Sequence, residues 1–179
     1  RLQDGIVYCL STGGLFTIID YTEPAAPVIL STIQIDRTLS TLAVAGDRCW
    51  VVEEETSYGG PYVWYDSRIL TYDVSDPAAP NLVHTSDDKY RIFTIQHADG
   101  LLITTGREDW QSSNDYGGHL DIYEADGRPD ALRHLVHLVN PNLPEVRKIG
   151  GPTIPASYHW DGYLAVLHEE RLHVKRILR

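Results

Sequence analysis

"YTEPAAP" at residues 21–27 and "VSDPAAP" at residues 74–80 are two versions of one turn, placed 53 positions apart in a chain of 179 residues. Each follows a run of apolar and β-branched residues that ends in an aspartate, Asp20 or Asp73. An aspartate at a strand end can accept a hydrogen bond from the backbone two residues further on and so begin a turn. Because proline donates no backbone hydrogen bond, a strand beside it belongs at the edge of a sheet. The motif therefore predicts where one strand ends and the outermost strand of a sheet begins.

The same order of segments recurs four times along the chain. Each unit starts with an aspartate-containing turn and continues with a strand, a hairpin, a second strand, a turn and a third strand, and a further strand joins successive units. Four strands in about 40–50 residues is the spacing of a β-propeller blade. We therefore predict an all-β fold, a β-propeller of four-stranded antiparallel blades. A single propeller region covers residues 1–179, with approximate blades at 1–36, 37–88, 89–140 and, in part, 152–179.

These units also carry a family resemblance. "LFTIIDYTEPAAPVILSTIQI" at 15–35 and "ILTYDVSDPAAPNLVHTS" at 69–86 resemble LVIVD repeats, the "L-x-I-x-DVSDP-x-xP" units of bacterial and archaeal surface propellers. In the third unit, "LDIYEADGRPDALRHLV", Glu124 replaces the aspartate. The resemblance covers roughly residues 4–139. It implies a propeller that is often extracellular, and it implies no specific activity.

The strand count predicts an open arc. The first unit opens at its second strand and the fourth stops after its third strand, whereas propellers generally have four to eight blades. An open end would leave sheet faces and edges without a partner. We therefore expect an incomplete arc of a larger ring, or a ring that another chain completes.

Two segments differ from the plain repeat, at residues 52–67 and 106–120. We predict that they form elongated loops on one face of the propeller, where binding specificity is usually placed. Both combine carboxylates with aromatic residues, which supply large contact areas in protein and carbohydrate recognition. The candidate partner-binding residues are Glu53, Glu54, Tyr58, Trp64, Glu108, Asp109, Trp110 and Tyr116.

Two alternatives remain open for these acidic segments. They can be solvated surface, or they can bind Ca²⁺, a hard cation that takes oxygen ligands. The chain has no D-x-D-x-D-G loop, so the calcium signal is weak, and no other cofactor is expected. The candidate metal ligands are Glu53, Glu108, His168 and Glu169.

Composition excludes some classes of function. The net charge is −10 and the one basic cluster is the short "RLHVKRILR" at 171–179, which argues against nucleic-acid binding. The chain contains no run of eighteen apolar residues, so the sequence does not predict a transmembrane segment. We expect a non-enzymatic interaction module, extracellular, cell-surface or periplasmic, whose partner is a protein or the remainder of the propeller. The alternatives are a metal-dependent, hydrolase-like propeller enzyme and a glycan-binding propeller that uses the same acidic and aromatic face.

Two cysteines, Cys9 and Cys49, are the only thiols in the chain. Alignment of Asp4 with Asp47 places them on opposite pleat faces with an offset of three positions, roughly 10 Å along a strand. A disulfide requires the two Cβ atoms to approach within about 4.5 Å. The sequence therefore predicts two free, buried thiols.

Overall fold

The computed structural model describes residues 1–59, 62–86, 91–98, 100–107, 118–125, 132–140, 156–160, 163–168 and 171–176. In these ranges the chain forms four antiparallel sheets in which consecutive strands are neighbours. The first sheet contains β1 (Leu2–Gln3), β2 (Ile6–Leu10), β3 (Leu15–Asp20) and β4 (Val28–Gln34). The second contains β5 (Thr38–Ala45), β6 (Arg48–Gly59), β7 (Tyr62–Asp73) and β8 (Asn81–Thr85).

The third sheet contains β9 (Arg91–Ala98), β10 (Leu101–Arg107), β11 (Gly118–Glu124) and β12 (Arg133–Asn140). The fourth contains β13 (Ala156–Trp160), β14 (Tyr163–His168) and β15 (Arg171–Arg176). The predicted all-β class and its four-stranded antiparallel sheets are confirmed. Over the ranges given above there is no helix with the length and apolar character needed to cross a membrane.

The prediction that the first unit opens at its second strand was wrong. β1 is only two residues long, but Leu2 pairs with Val7 and Gln3 with Ile6, so the first sheet has four strands and includes the strand that was predicted to be missing. A two-residue turn joins β1 to β2, with Asp4 at φ 49° and Gly5 at φ 80°. Such positive φ values suit Asp-Gly, the sequence found at this turn.

The two proline-containing turns have the hydrogen bonds that the sequence predicts. Asp20 Oδ1 accepts a bond from the backbone N–H of Thr22 at 2.8 Å, and Asp73 Oδ1 accepts one from Ser75 at 3.0 Å. The Thr22 hydroxyl also donates to Asp20 Oδ1 at 2.6 Å, and this bond, together with the backbone bond, lowers the pKa of Asp20. Chiefly through the backbone bond from Ser75, the pKa of Asp73 falls to about 2. The strands that follow, β4 and β8, are the outermost strands of their sheets, as predicted.

A matching irregularity occurs where the outermost strand pairs with its neighbour. The register shifts between Ile18 and Ile19 in the first sheet, between Thr71 and Tyr72 in the second, and between Ile122 and Tyr123 in the third. Each shift lies two or fewer residues before the end of the strand that precedes the turn. A β-bulge bends a strand and increases its twist. The three sheets therefore bend at corresponding positions.

The core lies between successive sheets rather than within one of them. The first and second sheets enclose one buried cluster, made of Tyr8, Phe16, Ile18, Leu39, Leu42, Cys49, Val51, Leu70, Tyr72 and Val74. The second and third sheets enclose another, made of Ala43, Trp50, Val52, Ile69, Ile92, Ile95, Leu102 and Tyr123. Along β6 the residues alternate between the two clusters, as the pleat requires. The second sheet is therefore buried on both faces.

The two cysteines are free, as predicted, but the predicted geometry was wrong. The β2–β3 and β6–β7 registers make Val7, and not Ile6, equivalent to Cys49. Cys49 is buried between the first and second sheets, whereas Cys9 is half-buried. Since Cys9 lies on the other face of the first sheet, the sheet itself separates the two thiols.

Candidate functional site

The most distinctive feature of the molecule is a long β-hairpin in the second sheet. β6 and β7 have twelve residues each and pair from Arg48–Asp73 as far as Gly59–Tyr62. The neighbouring strands β5 and β8 are shorter. The pairing of β5 with β6 ends at Glu54, and the pairing of β8 with β7 ends at Leu70. Among the described strands, residues 55–59 and 62–66 thus pair only with each other. We call these two segments the ribbon.

The ribbon corrects the prediction of an elongated loop at residues 52–67. Apart from residues 60 and 61, which lie outside the described residues, this segment is continuous strand. The segment contains three consecutive glutamates, and glutamate is depleted in strands. The threonine, tyrosine, valine and tryptophan residues around them are typical of strands, and the glutamates find partners that the local sequence does not contain.

Glu53 lies in an ion-pair network at the base of the ribbon. Its Oε1 lies 2.6 Å from Arg68 Nη2 on β7 and 3.6 Å from Arg37 Nη1, in the connection between β4 and β5. Its side chain is only 5% exposed. The short contact between Arg68 Nη2 and Glu53 Oε1 is an ion pair, but its geometry is not that of a hydrogen bond. Glu53 Oε1 is therefore stabilised by charge and not by a well-aligned hydrogen bond. Glu53 is therefore held in place from two elements.

Glu54 and Glu55 extend the network on either side. Glu54 Oε2 accepts a hydrogen bond from Arg91 Nη2 at 3.3 Å, across to the start of β9 in the third sheet. Glu55 Oε2 lies 2.8 Å from Arg37 Nη2. Glu54 is buried, whereas Glu55 is half exposed. The base of the ribbon is thus tied both to the β4–β5 connection and to the third sheet.

A backbone bond strengthens the tie to the third sheet. Ser67 lies on β7 opposite Glu54, is fully buried, and its Oγ accepts a hydrogen bond from the backbone N–H of Ile92 at 2.9 Å. Burying this polar group without a partner would be costly, and the bond removes that cost. Two neighbouring residue pairs therefore fix the ribbon relative to β9.

A cleft lies beside the ribbon, between the first and second sheets. It has a volume of about 530 Å³ and is lined by residues 34–38, by 54–56 and by Thr12 and Gly13 of the β2–β3 turn. Its lining carries three carboxylates and one guanidinium, that of Arg37. Arg37 is itself paired with two glutamates. The cleft therefore presents an acidic, hydrogen-bonding wall to solvent.

The sequence-predicted site residues lie in several places. Glu53 and Glu54 are buried in ion pairs, which excludes the interpretation of these two as solvated surface. In the backbone register Tyr58 pairs with Val63 and Trp64 pairs with Ser57, so the two residues lie on adjacent rungs of the ribbon. The remaining four candidates, Glu108, Asp109, Trp110 and Tyr116, lie outside the described residues.

The proposed metal ligands are not brought together by the residues that can be described. Glu53 is engaged by two arginines, and His168 is the last residue of β14. Glu108 and Glu169 lie outside the described residues. Across the described part of the chain, no group of three or more His, Cys, Asp or Glu residues is arranged to hold a metal ion.

Sequence reasoning missed the three arginines that hold the network, Arg37, Arg68 and Arg91. One signal was present for Arg68. If β6 and β7 continue through residues 52–67 and turn at Gly60 and Pro61, the register places Arg68 opposite Glu53. Arg37 and Arg91 gave no such signal, because both are in other elements and meet the glutamates only through the packing of the sheets.

No protein-family model matches the chain, and no curated protein matches it. The function has to be inferred from the ribbon, the buried ion pairs that anchor it and the cleft beside it.

Proposed function

We propose that the chain is an arc of a β-propeller built from LVIVD-like units. Three observations support this architecture. Four-stranded antiparallel sheets follow one another along the chain, each in simple sequential order. The second sheet is buried against the first on one face and against the third on the other. The proline-containing turns share the same hydrogen bonds. Radial stacking of four-stranded sheets is the arrangement of propeller blades.

The function that we propose is non-enzymatic binding of a protein partner, outside the cytoplasm, through the face from which the ribbon projects. The observation that carries the proposal is the ribbon itself, a two-stranded extension of the second sheet past both neighbouring strands. Isolated two-stranded hairpins are marginally stable. Here five buried or half-buried ionic groups form ion pairs at the base of the hairpin and hold it in a fixed position. The ribbon is therefore a rigid projection.

Rigidity favours binding because it lowers the entropy lost on association. The ribbon and its end contain Tyr58, Tyr62, Trp64 and Tyr65. Aromatic residues of this kind dominate the energetics of protein interfaces. A projection that is fixed at its base and rich in aromatic residues is therefore suited to insertion into a groove of a partner.

The charge at the base indicates the character of that partner. Glu55 and Asp66 face each other across the first rung of the ribbon, and Asp36 lies at the neighbouring cleft. Asp36 and Asp66 are exposed. Like charges on one rung are unfavourable, and the guanidinium of Arg37 offsets part of this repulsion by pairing with Glu55. A basic rim on the partner would neutralise this acidic base and accelerate association.

The test is capture by the immobilised chain from envelope, secreted and cytosolic fractions of the source cells, followed by quantitative mass spectrometry. We expect a defined protein to be enriched from a non-cytosolic fraction by the wild-type chain, and to be lost with Trp64→Ala and with Tyr58→Ala. Tyr21→Ala is the matched control, since Tyr21 is an exposed aromatic residue in the turn at the opposite end of the strands.

Circular dichroism and thermal melting of each variant verify that the fold is retained. Enrichment that survives both ribbon substitutions, or that Tyr21→Ala removes equally, would contradict the proposal. A chelator arm tests the rival metal-dependent function: capture and thermal stability should be unchanged by EDTA. A fall in melting temperature with EDTA would favour the rival.

A further inference from the structure

The ribbon has two open backbone edges. None of the described strands pairs with the β5 side of β6 beyond Glu54, or with the β8 side of β7 beyond Leu70. Backbone N–H and C=O groups along such an edge are a template for pairing with another chain. The register of the hairpin shows which groups point outward.

Ile69 fixes the direction of the backbone groups in the hairpin. Its N–H donates to Ser86 Oγ at 2.8 Å and its C=O accepts a bond from Ser86 N–H at 2.9 Å, both on the β8 side. Val52 faces Ile69 in the register, so the N–H and C=O of Val52 are directed to the opposite side, towards β5. Bonded and non-bonded pairs alternate in an antiparallel ladder, and the β6–β7 register has no shift. The N–H and C=O groups of Thr56 and Tyr58 therefore also point to the β5 side.

These four backbone groups of Thr56 and Tyr58 form an open edge in the line that a longer β5 would take. We call them the β6 edge. Thr56 is exposed, so the edge can be reached from solvent. The partner that can bond to all four groups is an extended peptide, whose own N–H and C=O groups alternate with the same spacing. An α-helix is not such a partner, because its backbone groups are bonded internally.

The cleft beside the ribbon lies at the β6 edge. One wall is formed by Glu54, Glu55 and Thr56, and the other by residues 34–38 and the β2–β3 turn. Its volume of about 530 Å³ is in the range of natural binding clefts, roughly 300–1,000 Å³. The cleft therefore provides space for a strand that pairs with the edge.

Charge distinguishes a foreign strand from the ribbon of a second copy. Glu55 is 51% exposed on one wall of the cleft, and Asp36 is exposed on the other. Two paired ribbons would bring the acidic groups of one copy next to those of the other, and like charges across a strand pair are destabilising. Charged edges are a common means of preventing such self-pairing. A strand that carries lysine or arginine would instead be attracted.

We propose that the β6 edge binds an extended segment of the protein partner by strand addition, and that this segment contains lysine or arginine. This mode of binding rests on the partner function proposed above and specifies how the ribbon holds that partner. Residues 55–59 span roughly 17 Å, so a segment of about five residues fills the edge. Main-chain hydrogen bonds supply affinity, and the acidic cleft supplies specificity.

The probe is a random linear dodecapeptide library, panned on the immobilised chain, followed by affinity measurements with synthetic peptides of the enriched sequences. We expect these peptides to alternate β-branched or aromatic residues with lysine or arginine. Thr56→Pro should weaken their binding by more than about tenfold, because it removes an outward N–H and leaves a peptide carbonyl without its donor. The β6–β7 ladder does not use this N–H, so the hairpin should be retained.

The matched control is Val63→Pro. By the same alternation the N–H of Val63 points outward on the opposite edge of the ribbon, so this chain should bind the peptides like the wild type. Failure to enrich any peptide, or equal effects of the two proline substitutions, would overturn the proposal. So would a dimer of the free chain, detected by light scattering, that Thr56→Pro dissociates, because a second copy would then occupy the edge.

Amide hydrogen exchange followed by NMR tests the edge in the wild-type chain, without a substitution. At saturating peptide the exchange of the Thr56 and Tyr58 amides should slow by at least about tenfold. The amides of Val63 and Tyr65, which point outward on the opposite edge, should exchange at an unchanged rate. Slowing that is absent at Thr56 and Tyr58, or equal on both edges, would contradict strand addition at the β6 edge.

Asp36→Asn tests the basic character of the bound segment. It should weaken peptide binding by about threefold at low salt and by less at high salt, because it removes one exposed charge of the cleft. Binding that Asp36→Asn leaves unchanged at low salt would contradict the requirement for lysine or arginine.

The mode of binding and the partner function can fail separately. A captured protein that Trp64→Ala removes and Thr56→Pro retains would contradict strand addition alone. Peptides that bind through Thr56, with no protein enriched from any cell fraction, would contradict the proposed partner function alone.

Discussion

Arg68 Nη2 lies 2.6 Å from Glu53 Oε1, and the two residues face each other across the β6–β7 ladder. This rung is the last but one before the ribbon leaves the sheet. Arg68 is partly exposed, whereas Glu53 is almost fully buried. The pair therefore lies at the boundary between the core and the projection, where losing the carboxylate would leave two arginines without their common partner.

Glu53→Ala should lower the free energy of unfolding by about 2 kcal/mol, because it breaks a largely buried ion pair whose arginine partners can still reach water. Urea unfolding followed by tryptophan fluorescence measures the change. Glu55→Ala is the control, since Glu55 is 51% exposed and its pair with Arg37 is worth less than about 1 kcal/mol. Equal losses from the two substitutions would show that burial does not distinguish the pairs.

Gly14→Ala should destabilise the chain by more than about 2 kcal/mol. Gly14 has a φ of 77°, and an added Cβ would overlap the carbonyl oxygen of Ile35 and approach that of Arg37. Strain from φ adds to this steric clash. Because the Gly14 carbonyl accepts a bond from Ile35 N–H at 2.8 Å, the change would also disturb the cleft.

Gly46→Ala separates the conformational cost of a positive φ from the cost of a steric clash. Gly46 also has a positive φ, of 52°, but an added Cβ would have open space around it. We expect a loss of only about 1 kcal/mol, the conformational cost alone. Melting temperatures of the two variants compare the effects, and a Gly46 variant as unstable as the Gly14 variant would contradict the steric explanation.

Asp73→Asn should remove part of the acid sensitivity of the fold. Hydrogen bonds from Ser75 and an ion pair with Arg48 at 2.7 Å lower the pKa of Asp73 to about 2. Since the folded-state pKa is the lower one, the stabilisation is fully present above the unfolded pKa of about 4 and is lost as the pH falls towards 2.

At pH 7 the free energy of unfolding of the wild-type chain should therefore exceed that of the Asp73→Asn chain by about 1 kcal/mol. This difference should shrink between pH 4 and pH 2, because these are the pKa values of Asp73 in the unfolded and folded chain. Unfolding by urea at a series of pH values measures it. A difference that is constant down to pH 2 would exclude the ionic origin.

Cys49 should resist thiol reagents until the chain unfolds. It is fully buried between two sheets, and burial raises the pKa of its thiol, so the reactive thiolate is scarce. Cys9 is half-buried and should react in the folded chain at low concentration. Titration of the folded wild-type chain with a disulfide reagent should detect one rapidly reacting thiol, and the folded Cys9→Ser chain should have none. In denaturant both thiols of the wild-type chain should react. Fast loss of both thiols in the folded chain would contradict the placement of Cys49.

Local chemistry made much of the fold predictable. Asp20 and Asp73 bond to the backbone two residues on because the carboxylate is short and adjacent, and prolines limit β4 and β8 to sheet edges. Both effects act over a few residues, so the sequence contains all the information they need.

The cysteines show where such reasoning fails. The turn of the first unit is Asp4-Gly5 and that of the second is Gly46-Asp47, so aligning the aspartates shifts the comparison by one residue. A shift of one residue transfers every side chain of a strand to the other face. The error in placing Cys9 relative to Cys49 follows from this alone.

By itself, the sequence determined most of the strands, the proline-containing turns and the order of these elements, because they depend on backbone preference, alternation and turn residues that are close together in the chain. Tertiary structure alone decided that Glu53 and Glu54 are buried and not solvated, and that β6 and β7 extend into a ribbon. Arg37 and Arg91 reach these glutamates from other elements. Burial of a carboxylate depends on whether a distant cation replaces its lost hydration, and only the packing of the sheets brings those charges together.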